Sequence, residues 1–81
     1  MIAFKPFEPF ASQFFRGDAQ LTIEAGNLFA LVSALDRLAP GFAEEAELRA
    51  AFAVNGVVAP DWSAPLPPGA EGVLFPRVAG G

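Results

Sequence analysis

Leu28, Leu31, Val32, Leu35 and Leu38 recur at helical spacing on one face, opposite Ser33, Asp36 and Arg37. This stripe constrains the rest of the chain, because a helix of that kind is stable only when its apolar face is buried against something else. Asn27 precedes it as a good N-cap, and Pro40-Gly41 stops it. What it can pack against is supplied by the segments around it, which read as strands. Leu21 and Ile23 alternate with Gln20, Thr22 and Glu24, so Ala19 to Glu24 is expected to be a half-buried strand. Ala51 to Val54 and Val57-Val58 flank Asn55-Gly56, the strongest short hairpin signal, since both residues tolerate the positive φ of a type I′ turn. Glu71 to Phe75 is a last strand with Val73 and Phe75 on one face, and the ladder should end at Pro76, which lacks a backbone donor.

The first residues are less regular. Met1 to Phe4 begins as an apolar strand, but Pro6 and Pro9 deny donors to a sheet, so a short strand or one at an interruption is expected. Phe4, Phe7 and Phe10 recur every third residue, a spacing that would align them in a polyproline-like stretch; capping of the core is favoured over an exposed aromatic edge. Ala11 to Arg16 suits one helical turn before the Gly17-Asp18 turn. Phe42 to Arg49 fits a short helix or an acidic loop, where Glu45 and Arg49, four apart, would pair by about 0.2–0.5 kcal/mol on a helix. Pro60 to Gly69 is a Pro-rich connection, with Trp62 placed to close one end of the core. The order is strand, strand, helix, strand, short strand, strand, an α+β roll with one helix on one mixed sheet.

Composition narrows the chemistry. The chain has 81 residues, 53% of them hydrophobic and nine of them Phe, with no Cys and no His. One domain is expected, and aromatic burial must replace the disulfides or metals that often staple small domains. Without Cys or His the usual thiol nucleophile, neutral-pH base and metal ligand are missing, so a self-contained active site is not expected. Glu44, Glu45 and Glu47 lack calcium-loop spacing and read as a solvated face. A net charge of −4 with five scattered basic residues argues against nucleic acid and suits a basic protein partner. There is no run long enough to span a membrane and no signal-peptide pattern, so a cytoplasmic location is expected.

The chemically suggestive stretch is Val73 to Gly81, where an apolar strand passes through Pro76 into Arg77-Val78-Ala79-Gly80-Gly81. Two glycines at an end arise by chance in roughly one chain in 200, and a frayed tail would look the same. The alternative is a working terminus. Glycine has no Cβ, so the Gly81 carboxyl is open to attack and the backbone can lie in a narrow channel. Six residues from Pro76 would reach about 20 Å from the body.

Ala53-Val54-Asn55-Gly56, Leu21-Thr22-Ile23-Glu24-Ala25-Gly26 and, above all, Pro68 to Gly81 resemble the ubiquitin-like β-grasp sulfur carriers, over roughly residues 19–81. That group includes the small subunit of molybdopterin synthase and the thiazole-forming carrier of thiamine synthesis. The resemblance implies a mixed sheet of about four to five strands on one main helix, with a β-grasp domain over residues 1–75 and a Gly-Gly tail over 76–81. It also implies a carrier and not an enzyme in its own right. An E1-like partner would use ATP to adenylate the Gly81 carboxylate, sulfur would replace the adenylate to give a thiocarboxylate, and the carrier itself would bind no cofactor. Gly80 would give clearance, Arg77, Val78 and Ala79 would thread the partner's channel, and Phe75 and Pro76 would belong to the docking surface. The sulfur would go to the large subunit of molybdopterin synthase or another sulfur-accepting synthase. The alternatives are a modifier conjugated through Gly81, or a carrier for thiazole or cysteine synthesis. Two positions depart from the pattern: the first strand is interrupted by Pro6 and Pro9, and Arg77 stands where the molybdopterin branch often has an uncharged residue.

Overall fold

A computed structural model describes residues 1–18 and 20–77. In chain order they form β1 (Ile2–Pro6), α1 (Phe10–Phe14), β2 (Leu21–Ile23), α2 (Leu28–Leu38), α3 (Phe42–Arg49), β3 (Ala50–Val54), β4 (Val57–Val58) and β5 (Glu71–Pro76). The five strands make one mixed sheet in the order β2-β1-β5-β3-β4, with β1 and β5 parallel and the other pairs antiparallel. The long α2 covers this sheet, which is the α+β β-grasp arrangement expected from the sequence, and α1 and α3 add two shorter helices.

β1 is longer than its prolines suggested. The N–H groups of Ala3 and Phe7 donate toward β5, to Ala70 O at 3.0 Å and Leu74 O at 2.8 Å. Alternation therefore points the missing donor of Pro6 the other way, past the Leu21 end of β2 that pairs with Phe4. No ladder bond is lost, so the strand runs through Pro6. Pro9 lies outside the sheet, as the N-cap of α1. The three phenylalanines do not align. Phe4 and Phe10 are buried in a strand and a helix, while Phe7 in the turn between them is 55% exposed.

α2 begins where Asn27 Oδ1 accepts the N–H of Ala30 at 2.8 Å. The N–H of Phe29, in the first turn, donates to Trp62 O at 3.1 Å, so the Pro-rich loop adds to the cap. Leu28, Leu31, Val32 and Leu35 are buried, but Leu38 is 65% exposed. The next inward position is four residues past Leu35, where Ala39 is buried as the chain turns. Phe42–Arg49 is a helix, and Asp36 caps it from α2: its Oδ1 accepts the N–H groups of Gly41 at 3.2 Å and Ala43 at 3.0 Å. Gly41 adopts φ 98°, a conformation other residues resist. Glu45 and Arg49 pair at 3.2 Å.

Phenylalanines fill the centre. Phe4 meets Phe15, Phe42 and Phe52 with ring centroids 5.4, 6.4 and 6.3 Å away, and Leu74 of β5 lies among them, fully buried. Trp62 closes one end against Phe52 and Phe29, at 5.4 and 5.8 Å. The hairpin turn has Asn55 at φ 50° and Gly56 at φ 84°. Asn55 also ties the start of β5, its Oδ1 accepting the Glu71 N–H and its own N–H donating to Glu71 O, both at 2.9 Å.

Candidate functional site

β5 is the strand that leads to the residues singled out in the sequence. Pairing aligns Leu74 with Phe52 and Pro6 on the helix side. Phe75, aligned with Ala51, and Val73, aligned with Lys5 and Ala53, therefore face away from the helices. Both are half-buried, and neither belongs to the central cluster. With Val58, which aligns with Ala53, they make a shallow apolar strip on the outer sheet surface. Lys5 and Glu71 border it as an ion pair at 3.0 Å.

Pro76 pairs with Ala50 and is exposed, so β5 extends one residue past the expected Phe75 end. Arg77 continues the pairing: its N–H donates to Arg49 O at 2.7 Å, and its guanidinium donates to Glu47 O. Val78, Ala79, Gly80 and Gly81, the rest of the predicted site, lie outside the described residues. Sequence gave no signal for the Arg77 contacts, whose partners lie 28 and 30 residues earlier.

An open groove of about 630 Å³ lies beside Arg77, walled by Phe29, Trp62, Val58 and Pro60, with Glu47 and Asp61 at its margin. Sequence reading placed Trp62 at the end of the core but did not assemble this groove, because its walls come from four separate segments. The Asp61 carboxylate accepts the Ser63 hydroxyl at 2.6 Å and the Ser63 N–H at 3.0 Å. These bonds, the hydroxyl first, hold Asp61 below the ordinary carboxylate range. Among the described residues no three His, Cys, Asp or Glu side chains cluster with metal-binding geometry. No helix among them is long and apolar enough to cross a membrane. Among the described residues the arrangement presents a surface and a strand that leads toward residue 78.

No protein-family model and no curated protein matches the chain. Solved structures do. The chain is similar to CysO of Mycobacterium tuberculosis, an antigen, with a TM-score of 0.83 and 13% identity over 96% of this chain and all of that one. It is also similar to a chain of the complex of subunits 1 and 2 of molybdopterin-converting factor from Helicobacter pylori, with a TM-score of 0.69 and 24% identity over 99% of this chain and 97% of that one. SAMP1 from Haloferax volcanii gives a TM-score of 0.69 and 22% identity over 99% and 98% of the two chains. At these identities the likeness is one of fold, the ubiquitin-like β-grasp that the sequence resemblance implied.

Proposed function

We propose that this protein is a sulfur carrier whose Gly81 carboxylate is the reacting group, with molybdopterin synthesis as the destination of the sulfur. One observation carries the reading: the central strand of a β-grasp sheet, shared with a chain of molybdopterin-converting factor, leads within five residues into Gly80-Gly81. The lack of Cys and His in the chain agrees with it, because a carrier supplies only an unhindered acyl group.

In the proposed reaction a partner enzyme of the E1-like class binds ATP, and the Gly81 carboxylate oxygen attacks the α-phosphorus with loss of pyrophosphate. Hydrosulfide, HS⁻, then attacks the acyl carbon, the C–O bond to AMP breaks and AMP leaves, a proton is lost, and the thiocarboxylate remains for a second partner to consume. Gly80 leaves clearance at the acyl carbon, and Val78 and Ala79 thread the partner's channel as extended backbone. Ordering such a segment costs about 1–2 kcal/mol per residue, so a partner must also hold the body. The outer strip of Val73, Phe75 and Val58 is the surface for that grip, since it is apolar and faces away from the helices. The complexes in which two of the similar structures occur, subunit 1 with subunit 2 of molybdopterin-converting factor and BexX with CysO from Amycolatopsis orientalis, support a partner-dependent role.

Intact-mass spectrometry tests the reading. After incubation with a cognate activating enzyme, ATP and a sulfur donor, the chain is expected to gain the mass difference between sulfur and oxygen, localised to Gly81. An unchanged mass where a known carrier reacts overturns it, and conjugates on lysines of other proteins, lost on deleting Gly81, would point to a modifier.

A further inference from the structure

An α-helix leaves its last four carbonyls without intrahelical partners, to be taken by water or by other groups of the chain. In α3 these carbonyls belong to Ala46, Glu47, Leu48 and Arg49. The Ala50 N–H takes the first. Arg77 takes two of the others, its main-chain N–H bonding Arg49 O at 2.7 Å and its guanidinium bonding Glu47 O. A cation here also meets the negative end of the helix dipole. One residue is thus both the cap of α3 and the point at which the chain leaves the sheet.

From this double bonding we infer that Arg77 is a positioning residue: it anchors the departure of residues 78–81 to the C-terminal end of α3, and does not enter the partner's channel. The inference rests on the carrier reading for its purpose, though not for its geometry. Its consequence is a shorter reach. The five residues that follow Pro76 span about 17–18 Å; from an anchored Arg77, the four that follow span about 13–14 Å. Across a body of 28 × 28 × 19 Å that is half a width. The enzyme that receives Gly81 must therefore cover the corner formed by the end of α3, the start of β3 and the Trp62 groove.

The free protein decides the anchor. Backbone ¹⁵N relaxation is expected to give Arg77 an order parameter near about 0.85, falling below about 0.6 in Arg77→Ala. In the same variant, hydrogen exchange at the Ala50 amide should quicken about threefold to fivefold as the end of α3 loses its cap. Both variants keep the main-chain bond to Arg49 O, and Arg77→Ala loses only the guanidinium bond to Glu47 O; Arg77→Lys returns a cation to the helix end and should restore most of that protection. A mobile Arg77 in the unsubstituted protein, or an Ala50 amide indifferent to Arg77→Ala, overturns the inference.

Activation then reads the reach. With the activating enzyme, ATP–pyrophosphate exchange should fall about tenfold when one glycine is inserted between Val78 and Ala79, because the acyl carbon is displaced from a fixed origin. In the Arg77→Ala background the same insertion should cost less than about twofold, since a loose tail has no fixed origin to lose. Equal costs in both backgrounds would place Arg77 in the partner's channel and overturn the inference. If no variant, nor the parent chain, exchanges pyrophosphate with an enzyme active on a known carrier, the carrier reading fails, while relaxation and exchange still decide whether Arg77 anchors α3.

Discussion

Gly72 is the second residue of β5, buried beneath α2, where a glycine suggests a close approach that no other residue could accept. The distances say otherwise. A Cβ placed there would meet Ile2 Cγ2 at 3.7 Å and Leu31 Cδ2 at 3.8 Å, both ordinary van der Waals contacts, and the backbone is not in the left-handed region. Glycine in a strand interior costs conformational entropy on folding. Gly72→Ala is therefore expected to be neutral or to stabilise by up to about 1 kcal/mol, as a shift in the urea midpoint with unchanged m-value. A loss beyond about 1 kcal/mol would mean that α2 rides closer to the sheet than these distances allow. Gly41, Gly56 and Gly69 differ, at φ 98°, 84° and 72°, and alanine there would be strained even though space is open. The Asn-Gly pair marked Gly56 in the sequence; for the others only the backbone angles separate the replaceable from the required.

Among the elements, α2 was legible in all but its last turn, where Leu38 faces water, because its information is local: the period of its leucines and an N-cap one residue ahead of them. The Asn-Gly hairpin was legible for the same reason. What was hidden depends on the chain returning to itself. α3 could be read as helix or loop because its N-terminal position, Gly41, has no side chain to cap it, and the cap comes from Asp36 on the preceding helix. β1 was expected to break at Pro6 because the direction of a missing donor is unknown until strand order is known. Asp36→Ala should accordingly cost about 1 kcal/mol in urea unfolding, close to the cost of Asn27→Ala at the cap of α2. The two differ in where the damage falls. Hydrogen exchange should quicken at Gly41 and Ala43 for Asp36→Ala, and at Ala30 for Asn27→Ala. Equal exchange at Gly41 and Ala43 in the two proteins would show that Asp36 does not hold the α2–α3 corner.

For the whole molecule, the sequence located β5 but not the surface beside it. Phe75 could equally have been core, since strand aromatics are mostly buried. The register resolves this by placing Leu74 inside and Phe75 on the far side of the sheet. A body that holds a partner while a short tail reaches into it needs an apolar surface close to the tail, and the strip of Val73, Phe75 and Val58 is the one that β5 itself carries. Substitutions there can separate binding from folding. Phe75→Ser removes half-buried apolar area outside the central cluster, so the unfolding free energy in urea should fall by no more than about 1–2 kcal/mol. Val73→Asp adds a charge beside the Lys5–Glu71 pair, at a position water still reaches, and should also leave a folded protein. If this strip is where a partner grips, each change removes a central contact, and affinity for the activating enzyme should fall at least about tenfold by titration calorimetry. An exposed-position control, Leu38→Ser on α2, should leave it unchanged, because Leu38 is exposed at a position outside both this strip and the corner beside Arg77. A Phe75→Ser protein that still folds and binds as tightly as its parent would remove the outer sheet from the docking surface and leave the groove beside Arg77 as the face to test next.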